Sequence, residues 1–399
     1  MRASVTCALA AALAFAAVAP QVLAEAAPAA LRGTGDLGIV VERAAGRIEI
    51  VETTGRTRVG EVGGLGDLSH ASAVFSRDGR YAFVFGRDGG LSKVDLLTQT
   101  LVGRVVQAGN SIGGAISEDG ALIAVANYEP GGVRVFNAGD LSPVADIPAE
   151  TGEPAARSKV VGLVDAPGRR FVFSLYDAGE IWIADFADPA RPKVTKIPDA
   201  GKLPYDGVVT SDGRFYVAGL FGEDALALVD LWEQPAATRK ILAGYRKGEQ
   251  QLPVYKMPHL EGWASVGDLL FLPAVGRHEI LVVSRADWRE ADRIAVHGQP
   301  VFAVARPDGR QVWVNFAHPD NDVVQVIDVP SRKIVRELRP GKAVLHMEFT
   351  PRGDQVWVSV RDEDRVDVFD PETFERIASL PADKPSGIFF TARATRIGQ

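Results

Sequence analysis

A repeat constrains this chain more than any other feature. Alternating apolar residues run into a tight turn and then into a second apolar run, and this unit occurs seven times. The interval between turns is roughly 41 to 55 residues, with the turns at Asp78-Gly79, Asp119-Gly120, Pro167-Gly168, Asp212-Gly213, Gly267-Asp268, Asp308-Gly309 and Arg352-Gly353. This period is typical of a four-stranded propeller blade. The repeat therefore predicts an all-β propeller before any motif is considered.

The two ends of the repeated region predict how the ring closes. Residues 38–62 hold three strand-like runs, one strand short of a blade, and residues 385–397 hold about one strand after the seventh repeat. Pairing the two ends gives an eighth blade, in which terminal strands share a sheet and leave no free edge. We therefore predict a single eight-bladed β-propeller domain over residues 38–399, with a seven-bladed ring and a free arm as the alternative.

The first 24 residues differ from the rest of the chain. Arg2 precedes an apolar run from Val5 to Val18, and the segment ends in Val22-Leu23-Ala24. This is the pattern of a secretory signal peptide, so we expect cleavage before Glu25 and a short leader segment over residues 25–37. The mature chain is then predicted to be periplasmic and to have no membrane span.

Composition argues against several kinds of site. The one cysteine, Cys7, lies in the signal peptide, so the mature chain would have no disulfide, thiolate metal site, cysteine nucleophile or covalent haem attachment. The net charge is −7 and loses one more positive charge with Arg2, which argues against a nucleic acid partner. No dinucleotide-binding glycine loop, metalloprotease motif or hydrolase nucleophile elbow occurs, and we expect no NAD site.

The register of the innermost strands singles out two of the histidines. Nine residues before each turn position stand His70, Ser111, Lys159, Pro204, His259, Pro300 and Val344. This row is predicted to lie where each inner strand begins, at the channel mouth opposite the Asp-Gly turns, with side chains able to reach the channel. An imidazole there could bind a metal, including a haem iron. The alternative is that His70 hydrogen-bonds a neighbouring blade.

Positively charged side chains form a second candidate set at the same mouth. They are Arg157, Lys159 and Arg306, together with Arg246 and Lys256 on a long connector over residues 243–258. Such groups can pair with the carboxylates of a ligand, and the connector is long enough to be a lid. The alternative for the cations is ordinary surface ion pairing. For each loop between the second and third strands of a blade, the alternative is a solvated turn without a role in binding.

Part of the chain resembles a known family. Ser69-His70-Ala71, Phe75-Ser76-Arg77-Asp78-Gly79-Arg80-Tyr81, Gly86-Arg87-Asp88-Gly89 and Val94-Asp95-Leu96 are similar to the d1-haem propeller of cytochrome cd1 nitrite reductase. The similarity continues weakly over nearly the whole mature chain. The cytochrome c domain of that enzyme is missing, and the length and layout resemble the NirF family of exported heme d1 biosynthesis proteins.

The resemblance implies a function and several residue roles. It implies binding of a d1-type heme or precursor tetrapyrrole on the channel face, in a late step of cofactor synthesis for cytochrome cd1 nitrite reductase and denitrification. His70 would be the axial ligand of the iron and His259 would lie on the distal side, where Arg306 replaces a second histidine. The reductase and other periplasmic heme d1 maturation proteins are the implied protein partners.

An acid or base near the edge of the macrocycle completes this expectation. We single out Asp206 on an inner strand, together with Tyr128 and Glu129 in a loop, because a carboxyl among apolar ring atoms has a raised pKa. Two functions stay open: an oxidoreductase- or lyase-type enzyme that modifies the bound precursor, and a non-catalytic carrier that holds the tetrapyrrole for partner proteins. A periplasmic repeat protein without a cofactor is a third.

Overall fold

Short β-strands separated by tight turns make up almost all of the structure. The computed structural model describes residues 32–152, 156–246, 262–274 and 276–398. Within these ranges 34 strands form eight four-stranded antiparallel sheets and one two-stranded hairpin. The sheets are the blades of an eight-bladed β-propeller, which confirms the fold predicted from the repeat. The predicted signal peptide lies outside the described residues.

Blade 1 is built from both ends of the described chain. Its strands are β1 (Leu37–Glu42), β2 (Arg47–Glu52), β3 (Thr57–Val62) and β34 (Pro385–Phe390), with β34 innermost. The register pairs Gly38 with Phe390 and Val40 with Ile388. The predicted eighth blade is therefore confirmed, and β1 begins one residue before the predicted domain boundary.

Blades 2 to 8 follow in chain order, each running from its inner to its outer strand. Blades 2 and 3 contain β4 (Ser72–Phe75), β5 (Tyr81–Phe85), β6 (Gly90–Asp95), β7 (Thr100–Val106), β8 (Asn110–Ile116), β9 (Leu122–Glu129), β10 (Val133–Asn137) and β11 (Pro143–Ile147). The additional hairpin, which the repeat did not predict, contains β12 (Glu150–Thr151) and β13 (Ala156–Arg157). Blades 4 and 5 contain β14 (Val160–Ala166), β15 (Arg170–Leu175), β16 (Glu180–Asp185), β17 (Lys193–Ile197), β18 (Pro204–Val209), β19 (Phe215–Leu220), β20 (Leu226–Asp230) and β21 (Thr238–Ile241).

The last three blades repeat the same order. They contain β22 (Ala264–Val266), β23 (Leu269–Pro273), β24 (Glu279–Ser284), β25 (Arg289–Ala295), β26 (Pro300–Ala305), β27 (Gln311–Phe316), β28 (Val324–Asp328), β29 (Lys333–Leu338), β30 (Val344–Phe349), β31 (Val356–Val360), β32 (Arg365–Phe369) and β33 (Arg376–Pro381). A 3₁₀ turn at Arg361–Glu363 connects β31 to β32, and another at Thr391–Thr395 follows β34. Among the described residues, no helix has the length and apolar character that crossing a membrane requires.

The turns between first and second strands explain the repeat in local terms. In blade 2, Gly79 has φ 66° and Asp78 Oδ1 accepts a hydrogen bond from the backbone N–H of Arg80 at 3.1 Å. Glycine reaches this left-handed conformation without steric cost, and an aspartate side chain closes the turn. Equivalent Asp-Gly turns occur in blades 3, 5 and 7. We call the side of the ring that carries these turns the turn face, and the opposite side the rim face.

The hydrophobic core lies between neighbouring blades. Alternate residues of each strand point to opposite faces of the sheet, and each face packs against the next blade. One cluster, for example, joins Ala124 and Val135 of blade 3 to Phe171 and Phe173 of blade 4. The ring is thereby held together by side-chain packing, and β34 closes it in blade 1.

Closure gives the first testable prediction. Ile388 in β34 is fully buried among side chains of blades 1 and 8, so Ile388→Ala should lower the free energy of unfolding by about 2–4 kcal/mol. Ile334→Ala, on the outer strand β29 where the side chain is 37% exposed, should cost less than about 1 kcal/mol. Urea denaturation followed by circular dichroism measures both. If the two substitutions lowered the free energy of unfolding equally, the packing of β34 would contribute no more to stability than an exposed outer strand does.

Candidate functional site

The rim face carries one structurally equivalent position that differs sharply from blade to blade. This position comes directly after the second-strand residue that pairs with the start of the inner strand. In blade 4 Val160 pairs with Leu175, so the position is Tyr176, and in blade 8 Val344 pairs with Val360, so the position is Arg361. Aromatic residues occupy it in blades 3, 4 and 5, and arginines occupy it in blades 8 and 1: Tyr128, Tyr176, Phe221, Arg361 and Arg43. We call the stretch of rim in blades 3 to 5 the aromatic half and the stretch around blades 8, 1 and 2 the basic half, while Ala317 holds the equivalent position in blade 7.

His70 lies at the basic half, two residues before β4. Its side chain is partly exposed, while Nδ1 itself is buried. Burial lowers the pKa of His70 to about 4, and the positive charges of Arg87 and Arg43 act in the same direction. The imidazole is therefore neutral at neutral pH, which is the protonation state that can bind a metal ion.

Three arginines from three adjacent blades lie near one another here, and two of them, Arg43 and Arg87, act on His70. Arg43 of blade 1 donates a hydrogen bond to the Ser69 carbonyl oxygen at 2.6 Å. Burial lowers the pKa of Arg43, and the charges of Arg361 in blade 8 and Arg87 in blade 2 lower it further, while Asp67 opposes them. Guanidinium groups gathered in this way repel one another, so the arrangement favours an anion that can pair with them.

The aromatic half is built around a pair of tyrosine hydroxyls. Tyr128 Oη and Tyr205 Oη are 2.7 Å apart, and the Tyr205 ring meets Tyr176 and Phe221 edge to face, with centroids 5.8 and 5.0 Å away. Burial raises the pKa of Tyr128 to about 12 and also raises that of Tyr205. Both hydroxyls keep their protons at neutral pH, so this half offers flat apolar contacts and hydrogen-bond donors.

Asp206 places a carboxylate beside these tyrosines. It lies at a bulge in β18, between the pairs Pro204↔Leu220 and Gly207↔Ala218, and it is 8% exposed. Its charge contributes to the raised pKa of Tyr128, Tyr205 and Tyr216. Tyr205 and Asp206 also line a cleft between blades 5 and 6, and most of the other side chains that line it are apolar.

The structure brings several predicted site residues together. His70, Tyr128 and Asp206 all lie on the rim side of the inner strands, and the charge of Arg87 reaches both His70 and Tyr128. Lys159 lies at the aromatic half, with Nζ 3.0 Å from Asp177 Oδ1 and 5.7 Å from the centre of the Tyr176 ring. Tyr128 and Glu129 were predicted to lie in a loop, but both belong to β9, which extends to Glu129, and the Glu129 side chain is exposed to solvent.

Other predicted residues lie elsewhere. Arg306 follows the last residue of β26 and therefore lies on the turn face, where Nε donates to the Gly353 carbonyl at 3.0 Å and Nη1 pairs with Glu372 at 2.6 Å. The prediction that Arg306 is a rim cation standing in for a distal histidine is wrong. The six-residue inner strand β26 runs from the rim face to the turn face, and Arg306 follows its last residue. Arg157 is exposed on β13 and pairs with Glu150 at 3.1 Å.

The long connector is described only at its start. The backbone N–H of Arg246 donates to Asp224 Oδ2 at 3.0 Å, and the Arg246 side chain is exposed. His259 and Lys256 lie outside the described residues. Among the residues that are described, no group of three or more His, Cys, Asp or Glu side chains is placed to hold a metal ion.

Sequence reasoning missed most of the rim set. The residues that it overlooked are Arg43, Arg87, Arg361, Tyr176, Tyr205 and Phe221. Several of them stand in the loops after second strands, which look like solvated turns when each is taken alone. An alignment of these loops, position by position, would have separated the aromatic half from the basic half. An alignment of the starts of the inner strands alone does not.

This chain is similar to several known proteins. A family model described as the cytochrome D1 heme domain matches residues 32–394. Proteins named NirF from Pseudomonas aeruginosa and Stutzerimonas stutzeri are 59% and 57% identical over 369 residues, which is 92% of this chain and 94% of each relative. The solved structure of dihydro-heme d1 dehydrogenase NirN in complex with DHE has a TM-score of 0.80 at 26% identity, covering 94% of this chain and 79% of that one.

The state of His70 predicts a pH dependence. Because folding lowers the pKa of His70 from 6.5 to about 4, the unfolded chain binds this proton first as the pH falls. The contribution of His70 to stability is therefore full above pH 6.5 and is lost between about pH 6.5 and 4. His70→Asn should lose less stability over this window than the wild type, as measured by urea denaturation at several pH values.

A direct titration checks the cause of this effect. In NMR titrations, Arg87→Gln should raise the pKa of His70, because it removes a positive charge that acts on the imidazole. Arg134→Gln is the matched control, since Arg134 faces Asp146 on the outer part of blade 3. A His70 that titrates near 6.5 in the wild type would contradict the proposed environment.

Proposed function

The chain belongs to the cytochrome D1 heme domain family, and we propose that its rim face binds a d1-type heme or a precursor tetrapyrrole. The observation that carries the proposal is the neutral imidazole of His70, which lies near Arg43 and Arg87 on the same face of the ring as the aromatic side chains of blades 3 to 5. A planar macrocycle with a metal centre and peripheral carboxylates matches this set in charge and shape. The NirN structure solved in complex with DHE supports the ligand class.

The described residues fit such a ligand in distinct roles. His70 would hold the iron, and Arg43, Arg87 and Arg361 would pair with the carboxylates. Tyr176, Tyr205 and Phe221 would provide apolar contacts to the macrocycle. When bound, the group supplies an iron centre and a conjugated ring that can take up or release electrons. The contribution of this chain is to bind, to orient and to handle protons.

Proton handling belongs to the aromatic half of the site. Tyr128 and Tyr205 stay protonated at neutral pH and share a hydrogen bond of 2.7 Å, so either hydroxyl can donate to a ligand atom at the ring edge. Asp206 lies beside them and is the base of this group. We propose that these residues serve a late step of heme d1 synthesis for cytochrome cd1 nitrite reductase.

A non-catalytic carrier is the second candidate function. It is favoured by the basic half of the rim, which binds an anion without need of an acid or base. Turnover separates the two candidates: a purified precursor should be converted by this chain alone if it is an enzyme, and Tyr205→Phe should slow conversion more than binding. Binding without conversion supports the carrier. We further propose that the protein acts in the periplasm, as the signal peptide pattern suggests.

Ligation by His70 is tested by a spectral titration. Isolated heme d1 should shift its absorption bands on binding to the wild type, and His70→Ala should abolish this shift while the fold, followed by circular dichroism, is kept. His278→Ala, at an exposed histidine of blade 6, is the matched control and should behave like the wild type. Identical spectra for His70→Ala and the wild type would overturn the assignment.

The basic half predicts a salt dependence. Affinity for heme d1 should fall as ionic strength rises, because the guanidinium groups bind carboxylates partly exposed to solvent. Arg87→Gln should weaken binding by about tenfold, the value of one charge-assisted hydrogen bond, and should make the salt dependence less steep. Arg157→Gln, whose side chain pairs with Glu150 on the outlying hairpin, should change neither. Equal effects of the two substitutions would count against the basic half.

A further inference from the structure

The segment that follows β34 crosses the ring on the turn face. Residues 391–398 continue from the inner strand of blade 1, and Thr391 Oγ1 donates to the carbonyl oxygens of Thr34 and Leu37 at 2.6 and 2.9 Å. Thr391, Arg393 and Ala394 are buried in a 3₁₀ turn. This segment is therefore packed into the protein from its first residue.

Its first half is fixed to blades 8 and 2. Arg393 and Glu348, each with a side chain 6% exposed, form a two-point ion pair in which Nε lies 3.0 Å from Oε1. Glu348 stands next to the last residue of β30, at the turn face of blade 8. On the other side, Arg77 of blade 2 donates through Nη1 to the Ala394 carbonyl.

Its second half is fixed to blades 4 and 5. The backbone N–H of Gly398 donates at 2.9 Å to Oδ1 of Asp165, a residue of β14 that is 1% exposed. Ile397 packs against the apolar cluster between these two blades. Gly398 has φ +79°, and a Cβ there would lie 2.9 Å from Cβ of Val209, so the fit requires glycine.

The side chain of Arg77 links the two halves across blade 3. Its Nη2 donates to the Ser117 carbonyl at 2.7 Å and lies 3.6 Å from Asp165 Oδ2. The segment and Arg77 together contact blades 8, 1, 2, 3, 4 and 5. In a ring of eight blades, blades 1 and 5 lie opposite each other, so a segment that starts on one and ends on the other passes over the axis.

We infer that residues 391–398 are a stopper that closes the channel at the turn face. Among the described residues, the channel is then closed at the turn face and open at the rim, where His70 lies. Ligand exchange, and transfer to or from a protein partner, takes place through the rim face. The stopper is independent of the proposed function, whereas the statement on ligand exchange rests on it.

Thiol labelling tests the stopper without any ligand. In a Cys7→Ser chain, which has no other cysteine, the thiol of Val209→Cys should react slowly with a maleimide because Gly398 covers it. Ending the chain after Arg396, or introducing Gly398→Val in the full chain, should raise the labelling rate by about tenfold or more, as expected when a local cover is released. Fast labelling of Val209→Cys in the otherwise intact chain would overturn the stopper.

Two control positions show whether the ring itself stays folded. Val335→Cys, at an exposed site on β29, should label quickly in every background, and Val326→Cys, fully buried in blade 7, should label slowly in every background. If the altered segment speeds labelling of Val326→Cys as well, the ring has opened as a whole and the stopper has no separate role.

Bulky labels test the direction of ligand exchange. A polyethylene glycol maleimide on Ser69→Cys, at the rim, should slow release of heme d1 to an apo-acceptor at least severalfold, while the same label on Arg352→Cys, at the turn face, should leave release unchanged. Slower release with the turn-face label would overturn exchange through the rim. If heme d1 does not bind at all, the proposed function fails, and the thiol results still decide the stopper.

Discussion

The antiparallel pairing of β1 with β34 is the constraint on which the rest of the structure depends. It joins the first described strand to the last, and without it blade 1 has no inner strand. The pairing also brings Arg361 of blade 8 beside Arg43 of blade 1, since blades 8 and 1 become neighbours only in a closed ring. Closure therefore completes the group of arginines at the rim, because Arg361 comes from the other end of the chain. The same closure delivers residues 391–398 to the turn face.

A propeller offers each blade the same backbone positions, and this chain uses them unequally. Equivalent rim positions hold Tyr128, Tyr176 and Phe221 on one side and arginines on the other. The backbone supplies an eightfold frame, while the side chains make a site with a distinct charged edge and a distinct aromatic edge. A flat ligand with carboxylates on one side can enter such a site in few orientations. The orientation of the ligand would then be set by electrostatics and by contacts to the aromatic rings, without any change in the propeller backbone.

The sequence predicts the fold far better than the site, for a physical reason. The turn spacing and the two incomplete ends depend on local conformations, such as the left-handed glycine of the Asp78-Gly79 turn. Both can therefore be recognised from the sequence alone. His70 and Asp206 were found because they lie on or beside inner strands whose register can be counted, and Tyr128 was found because its loop was predicted to lie at the rim. The arginines were missed because their partners come from other blades, and Arg306 was misplaced because position along an inner strand decides the face of the ring.

The arginines of the rim have two effects that act together. They help to keep His70 neutral, and they are the groups that an anionic macrocycle would bind. Carboxylates that pair with Arg43 and Arg87 would cancel part of the charge that lowers the pKa of His70. By linkage, a metal-free anionic macrocycle would then bind more tightly as His70 takes up a proton. An iron centre held by His70 would instead use the lone pair of the imidazole, so protonation would oppose its binding. Metallated and metal-free ligands would then differ in the sign of their pH dependence, although both carry the same carboxylates.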